Sequence, residues 1–247
     1  MDILDRIVQL IETLDVLIAL ATGAGAATVV LRIARRRRHR GFWRLRSPIQ
    51  MSLCVATSAA TNTGKYTRYA TGVGQVRALS DITHSLKQAY GEDADPTVYM
   101  SESMPAEAVR CDLVLVGGSK NNTVTRRFLD AVFDDVGLRF DPDDENIIVL
   151  DGVRYETLVS NGAVQKDYAL VLVTDNPFCN GRRVFLFAGS HTYGTGAAGR
   201  LLREDLIEKR FFLPRRFLCL AEITVDQHLD LTMKTVLFRP LKPGTHA

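Results

Sequence analysis

A chain of 247 residues has room for a membrane anchor and one domain of about 200 residues, large enough for a substantial core. Its net charge of +3 is unevenly spread: residues 32–46 hold eight arginines and no acid, whereas 47–247 hold 22 Lys/Arg against 24 Asp/Glu. The basic character belongs to one short segment, so a sequence pI near 8.7 is weak evidence for nucleic-acid binding by the folded domain. Cys54, Cys111, Cys179 and Cys219 are widely spaced and form no CxxC pair. That pattern offers no zinc motif and predicts free thiols in a reducing compartment.

Residues 3–14 place Ile3, Leu4, Ile7, Val8, Leu10, Ile11 and Leu14 at helical spacing, which predicts an amphipathic helix. Val16 to Leu31 then carries no charge, and Arg32, Arg35, Arg36, Arg37, Arg38, Arg40, Arg44 and Arg46 follow. Lys and Arg collect on the cytoplasmic side of a membrane helix, where anionic head groups and the membrane potential hold them. The expected layout is an amphipathic plus transmembrane helix over 1–34, an arginine-rich juxtamembrane collar over 35–47, and a cytoplasmic domain over 48–247. This describes a single-pass protein of the cell inner membrane with its N-terminus outside. Sixteen uncharged residues fall a little short of a span, and Arg32 extends it by snorkelling, which recruits Ile33 and Ala34. Asp2, Asp5, Glu12 and Asp15 precede the apolar run, the reverse of a signal peptide. The alternative is a buried or oligomerising helix of a soluble protein. Ala19, Gly23 and Ala27 recur every four residues, a spacing that lets helices approach closely in lipid and predicts a homo-oligomer.

Beyond Ser47-Pro48, Ile49–Thr57 reads as an apolar strand and Thr57–Gly74 as a long polar loop. Val76–Tyr90 is a predicted helix with Val76, Leu79, Ile82, Leu86 and Ala89 on one face. Thr97–Met100 and Asp112–Val116 are strands, and Thr123–Phe133 is a helix. Residues 141–145 form an acidic turn, and Ile147–Leu150 and Tyr155–Val159 form a hairpin about Asp151-Gly152. Ala169–Thr174 and Val184–Ala188 are strands flanking Asn176-Pro177-Phe178. Ala197–Glu208 is helical, and Phe217–Val225 and Met233–Phe238 close the chain as strands. Strands alternating with helices, with hairpins added, define an α/β, Rossmann-like domain with a mixed β-sheet.

Three predicted loops follow a buried strand and precede a helix: Ser58–Gly74, Gly117–Arg126 and Gly189–Gly196. Loops at the carboxyl ends of parallel strands converge on one crevice, and helix N-termini there offer N–H groups to anions. The expected ligand contacts are Ser58, Thr61, Asn62 and Thr63 in the first loop. In the second they are Gly117, Gly118, Ser119, Lys120, Asn121, Asn122, Thr125 and Arg126, where glycines, hydroxyls and two cations suit a phosphate or ribose. In the third they are Ser190, His191, Thr192, Tyr193, Gly194 and Thr195, and Gly194, Gly196 and Gly199 match GxGxxG. That match lies late in the domain and lacks a firm acidic ribose contact, so it does not define an NAD dehydrogenase. Tyr66, Tyr69 and Tyr193 are candidates for base stacking. Asp141, Asp143, Asp144 and Glu145 lack the EF-hand spacing and read as a turn. No catalytic residue, metal ligand or resident cofactor is assigned; Glu102 and His191 belong to a rival reading as a nucleotide- or NAD-cleaving enzyme.

With the anchor, the Gly117-Gly118 to Thr125-Arg126 element, Asn176-Pro177-Phe178 and Gly194-Thr195 in place, the whole chain resembles membrane effectors of bacterial antiphage nucleotide-signalling systems. In those, short transmembrane helices precede a cytoplasmic Rossmann-like sensor of the SLOG-like or CARF-like kind. The resemblance implies a nucleotide-derived ligand: a cyclic or linear oligonucleotide, or an ADP-ribose derivative. It also implies a homo-oligomer such as a tetramer, whose helices in membrane lipid act as an ion channel or disrupt the bilayer. A partner nucleotide-synthesising enzyme would supply the signal, and no catalytic turnover is implied.

Overall fold

The computed structural model describes residues 26–45, 50–210, 212–226 and 231–242. The expected helix over 3–14, the span up to residue 25 with most of its small-residue stripe, Ser47-Pro48 and residues 243–247 lie outside them. Among the described residues no helix is long and apolar enough to cross a membrane.

A helix α1 over 26–43 leads to strand β1 (Met51–Val55), the hairpin β2 (Ala59–Asn62) and β3 (Thr67–Ala70), and helix α2 (Val73–Tyr90). Then come β4 (Thr97–Met100), α3 (Ala106–Val109), β5 (Asp112–Val116), α4 (Thr123–Val136), β6 (Leu138–Phe140), β7 (Ile148–Leu150) and β8 (Val153–Tyr155). The chain closes with β9 (Leu158–Ser160), β10 (Ala163–Asp175), β11 (Arg183–Gly189), α5 (Thr192–Leu201), β12 (Phe217–Val225) and β13 (Leu231–Pro240). The main sheet runs β13-β12-β10-β11-β5-β1-β4, with β9 against β10. β4, β1, β5 and β11 are parallel neighbours, and the remaining pairs are antiparallel. The domain is thus α/β with a mixed sheet, as the alternation predicts.

The central strands are apolar without interruption because both of their faces are covered. Val114, Val116, Phe185 and Phe187 face α2, α5 and the last turn of α1. Leu113, Leu115, Leu170 and Leu186 face α4 and the small sheet β6-β7-β8.

Several elements differ from expectation for identifiable reasons. The loop 57–74 contains the β2–β3 hairpin, whose strands are exposed on both sides and so show no apolar alternation. Helix α2 buries Ala78, Ile82, Ser85, Leu86 and Ala89, while Val76 is 53% exposed, because small residues face the neighbouring α5. Tyr155–Val159 divides into β8 and β9. Asp151-Gly152 and Asn161-Gly162, both pairs with positive φ, turn two successive hairpins, and β10 therefore begins six residues before Ala169. Helix α5 starts at Thr192 instead of Ala197, and it passes into a π-helical turn over Leu202–Leu206.

The arginine-rich segment ends inside the core instead of preceding it. Phe42 and Trp43 are buried, and Trp43 lies 4.8 Å from the Phe185 ring. The domain therefore begins within the segment expected to be collar, before residue 48. Arg36 and Arg40 donate to Ala89 O at 3.2 and 2.8 Å, favourable contacts for cations at the C-terminal end of α2. Arg38 pairs with Glu208 at 3.0 Å, and Arg40 stacks over Tyr90. Residues 26–38 are all exposed, with Val29, Val30, Leu31 and Ile33 among them.

Candidate functional site

From β1 the chain passes through α2 to β4 on one side, and from β5 it proceeds towards β11 on the other. The strand order therefore reverses between β1 and β5, the point at which open α/β sheets carry a crevice. A cleft of about 230 Å³ opens there. Ser58, Gly72 and Gln75 line it from the first connection and α2; Gly118, Lys120 and Asn121 from the second; Gly189, Ser190, His191, Thr192 and Thr195 from the third. The three loops meet in one place, and Glu145 and Asn146 supply a fourth wall.

In the first wall, Ser58 N donates to Ala70 O at 2.8 Å and closes the base of the hairpin. Thr61, Asn62 and Thr63 project along that hairpin and do not line the cleft. Asn62 Oδ1 accepts from Gly64 N at 2.8 Å, and Thr63 Oγ1 donates to Tyr66 O at 2.9 Å. Tyr66 and Tyr69 are exposed on the same hairpin.

In the second wall, Gly117 takes φ +105°, and a Cβ there would lie 2.6 Å from Ala56 Cβ. Asn122 caps α4: its Oδ1 accepts from Thr125 N at 3.0 Å, and its Nδ2 donates to Val116 O at 3.3 Å. Thr125 Oγ1 donates to Gly117 O at 3.1 Å. Asn122 and Thr125 are fully buried, so these expected ligand contacts are used to shape the turn. Ser119 is buried as well, and Arg126 is tied to Ser119 O at 3.2 Å and to Glu145 at 2.7 Å. Lys120 Nζ reaches Asn146 Oδ1 at 3.3 Å from within the lining.

The third wall depends on a residue that sequence patterning does not single out. Asp167 of β10 is fully buried; its Oδ1 accepts from His191 N at 3.0 Å and from its neighbour Tyr168 N at 2.7 Å. Its Oδ2 accepts from Gly194 N at 2.6 Å. A carboxylate thus occupies the N-terminus of α5, where an anionic ligand was expected. Burial pushes its pKa up against the opposing pull of these N–H groups. The glycines serve packing: a Cβ on Gly194 would lie 2.0 Å from Tyr168 O, and one on Gly199 would lie 2.6 Å from Ala78 Cα. GxGxxG here brings α5 against β10 and α2. Tyr193 lines a separate hollow of about 540 Å³ between α2 and α5, whose charges include the ion pair Arg203–Asp81 at 2.8 Å.

The acidic turn 141–145 is built as part of the cleft. Asp141 Oδ1 accepts from Asp143 N at 2.9 Å and from Asp144 N at 3.2 Å. Asp144 Oδ1 holds Asn146 through its backbone N at 3.1 Å and its side chain at 2.8 Å. Glu145 and Asn146 are presented to Arg126 and Lys120 by this arrangement. Among the described residues, no group of three or more His, Cys, Asp or Glu side chains is placed to hold a metal. Glu102 is exposed and outside the lining; Ser101 donates to it at 3.2 Å. Cys54 and Cys219 are buried thiols whose pKa burial pushes up to about 12.

Two side chains in the cleft are unsatisfied. Gln75 is 8% exposed and Ser190 is 5% exposed, and neither Gln75 Oε1 nor Ser190 Oγ has a hydrogen-bond partner among the described residues. Buried polar atoms are almost always bonded, because an orphan costs about 1–3 kcal/mol. No known family model matches the chain, and no curated protein matches it.

Proposed function

We propose that the chain is a ligand-controlled membrane effector: a nucleotide-derived ligand in the cleft biases the N-terminal membrane helices of a homo-oligomer. One observation carries this reading. Gln75, with its unbonded oxygen in the cleft, stands on the same helix that holds α1. Ten residues further along α2, Ser85 bonds Trp43 and His39, and Ala89 O accepts from Arg36 and Arg40. A ligand that bonds Gln75, Ser190 and Lys120 acts on α2 directly, and a rigid helix transmits that bias to α1. The exposed Val29, Val30, Leu31 and Ile33 need an apolar cover, which a bilayer or neighbouring copies provide.

The test is thermal unfolding of the full-length protein across cyclic oligonucleotides, linear oligonucleotides and ADP-ribose derivatives. One of them raises the midpoint, and Gln75→Ala with Lys120→Ala removes the rise. A midpoint unmoved by every ligand would overturn the sensor assignment. Recovery of the untagged protein in the supernatant after membranes are sedimented would overturn the membrane assignment.

A further inference from the structure

At the opposite end of the parallel strands lies a second cavity, of about 130 Å³, lined by Arg44, Asp112, Gly181, Arg183 and Arg215. Arg183 and Asp112 are the first residues of β11 and β5, so it is roughly 20 Å from the cleft at the rise of a β-strand. Arg183 is 5% exposed and folds back beneath α1. Its Nη1 donates to Trp43 O at 2.8 Å, and its Nη2 donates to Arg215 O at 2.5 Å. Its guanidinium carbon lies 4.8 Å from the Phe185 ring centroid, and its buried Nε has no acceptor among the described residues.

The charge around this guanidinium is only partly compensated: Asp175 and Asp112 act on it, against Arg215 and Arg44. Among the described residues, no carboxylate stands within ion-pair distance of Arg183 or Arg44. Asp112, the acid in the lining, is held by Arg182 Nη1 at 3.2 Å and Arg183 N at 2.8 Å. Among the described residues, the Arg44 side chain donates to the carbonyls Gly41 O, Arg210 O and Leu213 O. Arg215 reaches Asp175 at 3.6 Å, and its side chain is 59% exposed. A buried cation facing two others is unfavourable unless an anion joins them. The same crowding acts on Arg183 itself, where burial, then Arg215 and Arg44, lower its pKa to about 10 against the opposing pull of Asp175 and Asp112. It remains charged at neutral pH.

We propose that this cavity binds a phosphate-type oxyanion, bridged by Arg44, Arg183 and Arg215, and that the anion clamps the end of α1 to the domain. Guanidinium forks match the oxygens of such an anion, whether it is free phosphate or the phosphate of a small ester. The clamp follows from position: Arg183 already holds Trp43 O, and Arg44 is the residue after it. The site is independent of the cleft.

Inorganic phosphate is the probe, added to the full-length protein against chloride at matched ionic strength. The unfolding midpoint rises by a few degrees and saturates, about 2–5 °C near full occupancy. Amide hydrogen exchange across 41–45 slows in parallel. Arg215→Gln, at an exposed position, abolishes both effects, whereas Lys120→Ala in the cleft leaves both intact. A phenyl phosphate arm distinguishes an ester from the free anion: a larger shift than that of inorganic phosphate assigns the site to esters. No rise over chloride overturns the proposal. So does a rise that fails to saturate or survives Arg215→Gln, since phosphate then acts only by exclusion from the protein surface.

Discussion

Trp43 donates its indole N–H to Ser85 Oγ at 2.9 Å, which fastens the last turn of α1 to the middle of α2. The same hydroxyl lies 2.9 Å from His39 Nδ1. Because the indole only donates, Ser85 turns its own hydrogen towards His39. Ser85→Ala leaves a buried N–H and a buried imidazole nitrogen without partners. The expected cost is about 1–3 kcal/mol in urea unfolding, with faster amide exchange across 39–43. A variant that keeps wild-type exchange there would show that the aromatic packing and the arginine bonds to Ala89 O and Trp43 O hold α1 without Ser85.

The Ser85 bond requires neutral His39 with its proton on Nε2. Burial first, then His84 and Arg35, lower the His39 pKa from 6.5 to about 4, with Arg38 adding to the effect and Glu208 opposing it. The folded form therefore resists a proton that the unfolded chain accepts below pH 6.5. Stability is full above that value and falls as pH drops from 6.5 towards 4. Between about pH 7.5 and about pH 5 the expected loss is roughly 2 kcal/mol. His39→Gln flattens the profile in that window, which urea titrations at several pH values would reveal.

The strands were legible because burial on both faces leaves unbroken apolar runs: Asp112–Val116 and Phe217–Val225 match their predicted bounds. Lys120, Asn121, Ser190, His191 and Thr192 were legible as cleft residues because parallel topology brings the connections after β1, β5 and β11 to one edge. Helix α5 was hidden by its own glycines. Thr192–Gly196 reads as loop, and the carboxylate that caps it comes from Asp167, far upstream. Gln75 sits within a helix and Glu145 within an acidic turn, so neither pattern points to a cleft. Phe42-Trp43 was masked by the surrounding arginines, whose charge reads as a solvated collar although its last turn is core.

Asp167→Asn tests the internal cap of α5. An amide keeps the shape but replaces one acceptor oxygen with donors, which face the N–H of His191 or Gly194. Loss of a charge-assisted bond in a buried setting costs roughly 2–3 kcal/mol. The midpoint in urea falls accordingly, with an unchanged slope. Wild-type stability in this variant would mean that the N–H groups of α5 find other acceptors.

The three glycines of GxGxxG separate packing from ligand contact. A Cβ on Gly194 or Gly199 meets backbone at 2.0 and 2.6 Å, so alanine at either position drives α5 away from β10 or α2. Each substitution is expected to cost about 1–3 kcal/mol. Gly196 differs, since its Cβ would lie 3.5 Å from Gly74 Cα, an ordinary contact within a helix. Alanine there restricts the unfolded chain and favours the helix, a gain of about 0.4–1 kcal/mol. A phosphate-cradling loop would respond differently: Gly196→Ala would weaken ligand binding and leave stability nearly unchanged. Thermal unfolding of the three variants, with and without the nucleotide panel, decides between the two, and only a raised midpoint for Gly196→Ala fits helix packing.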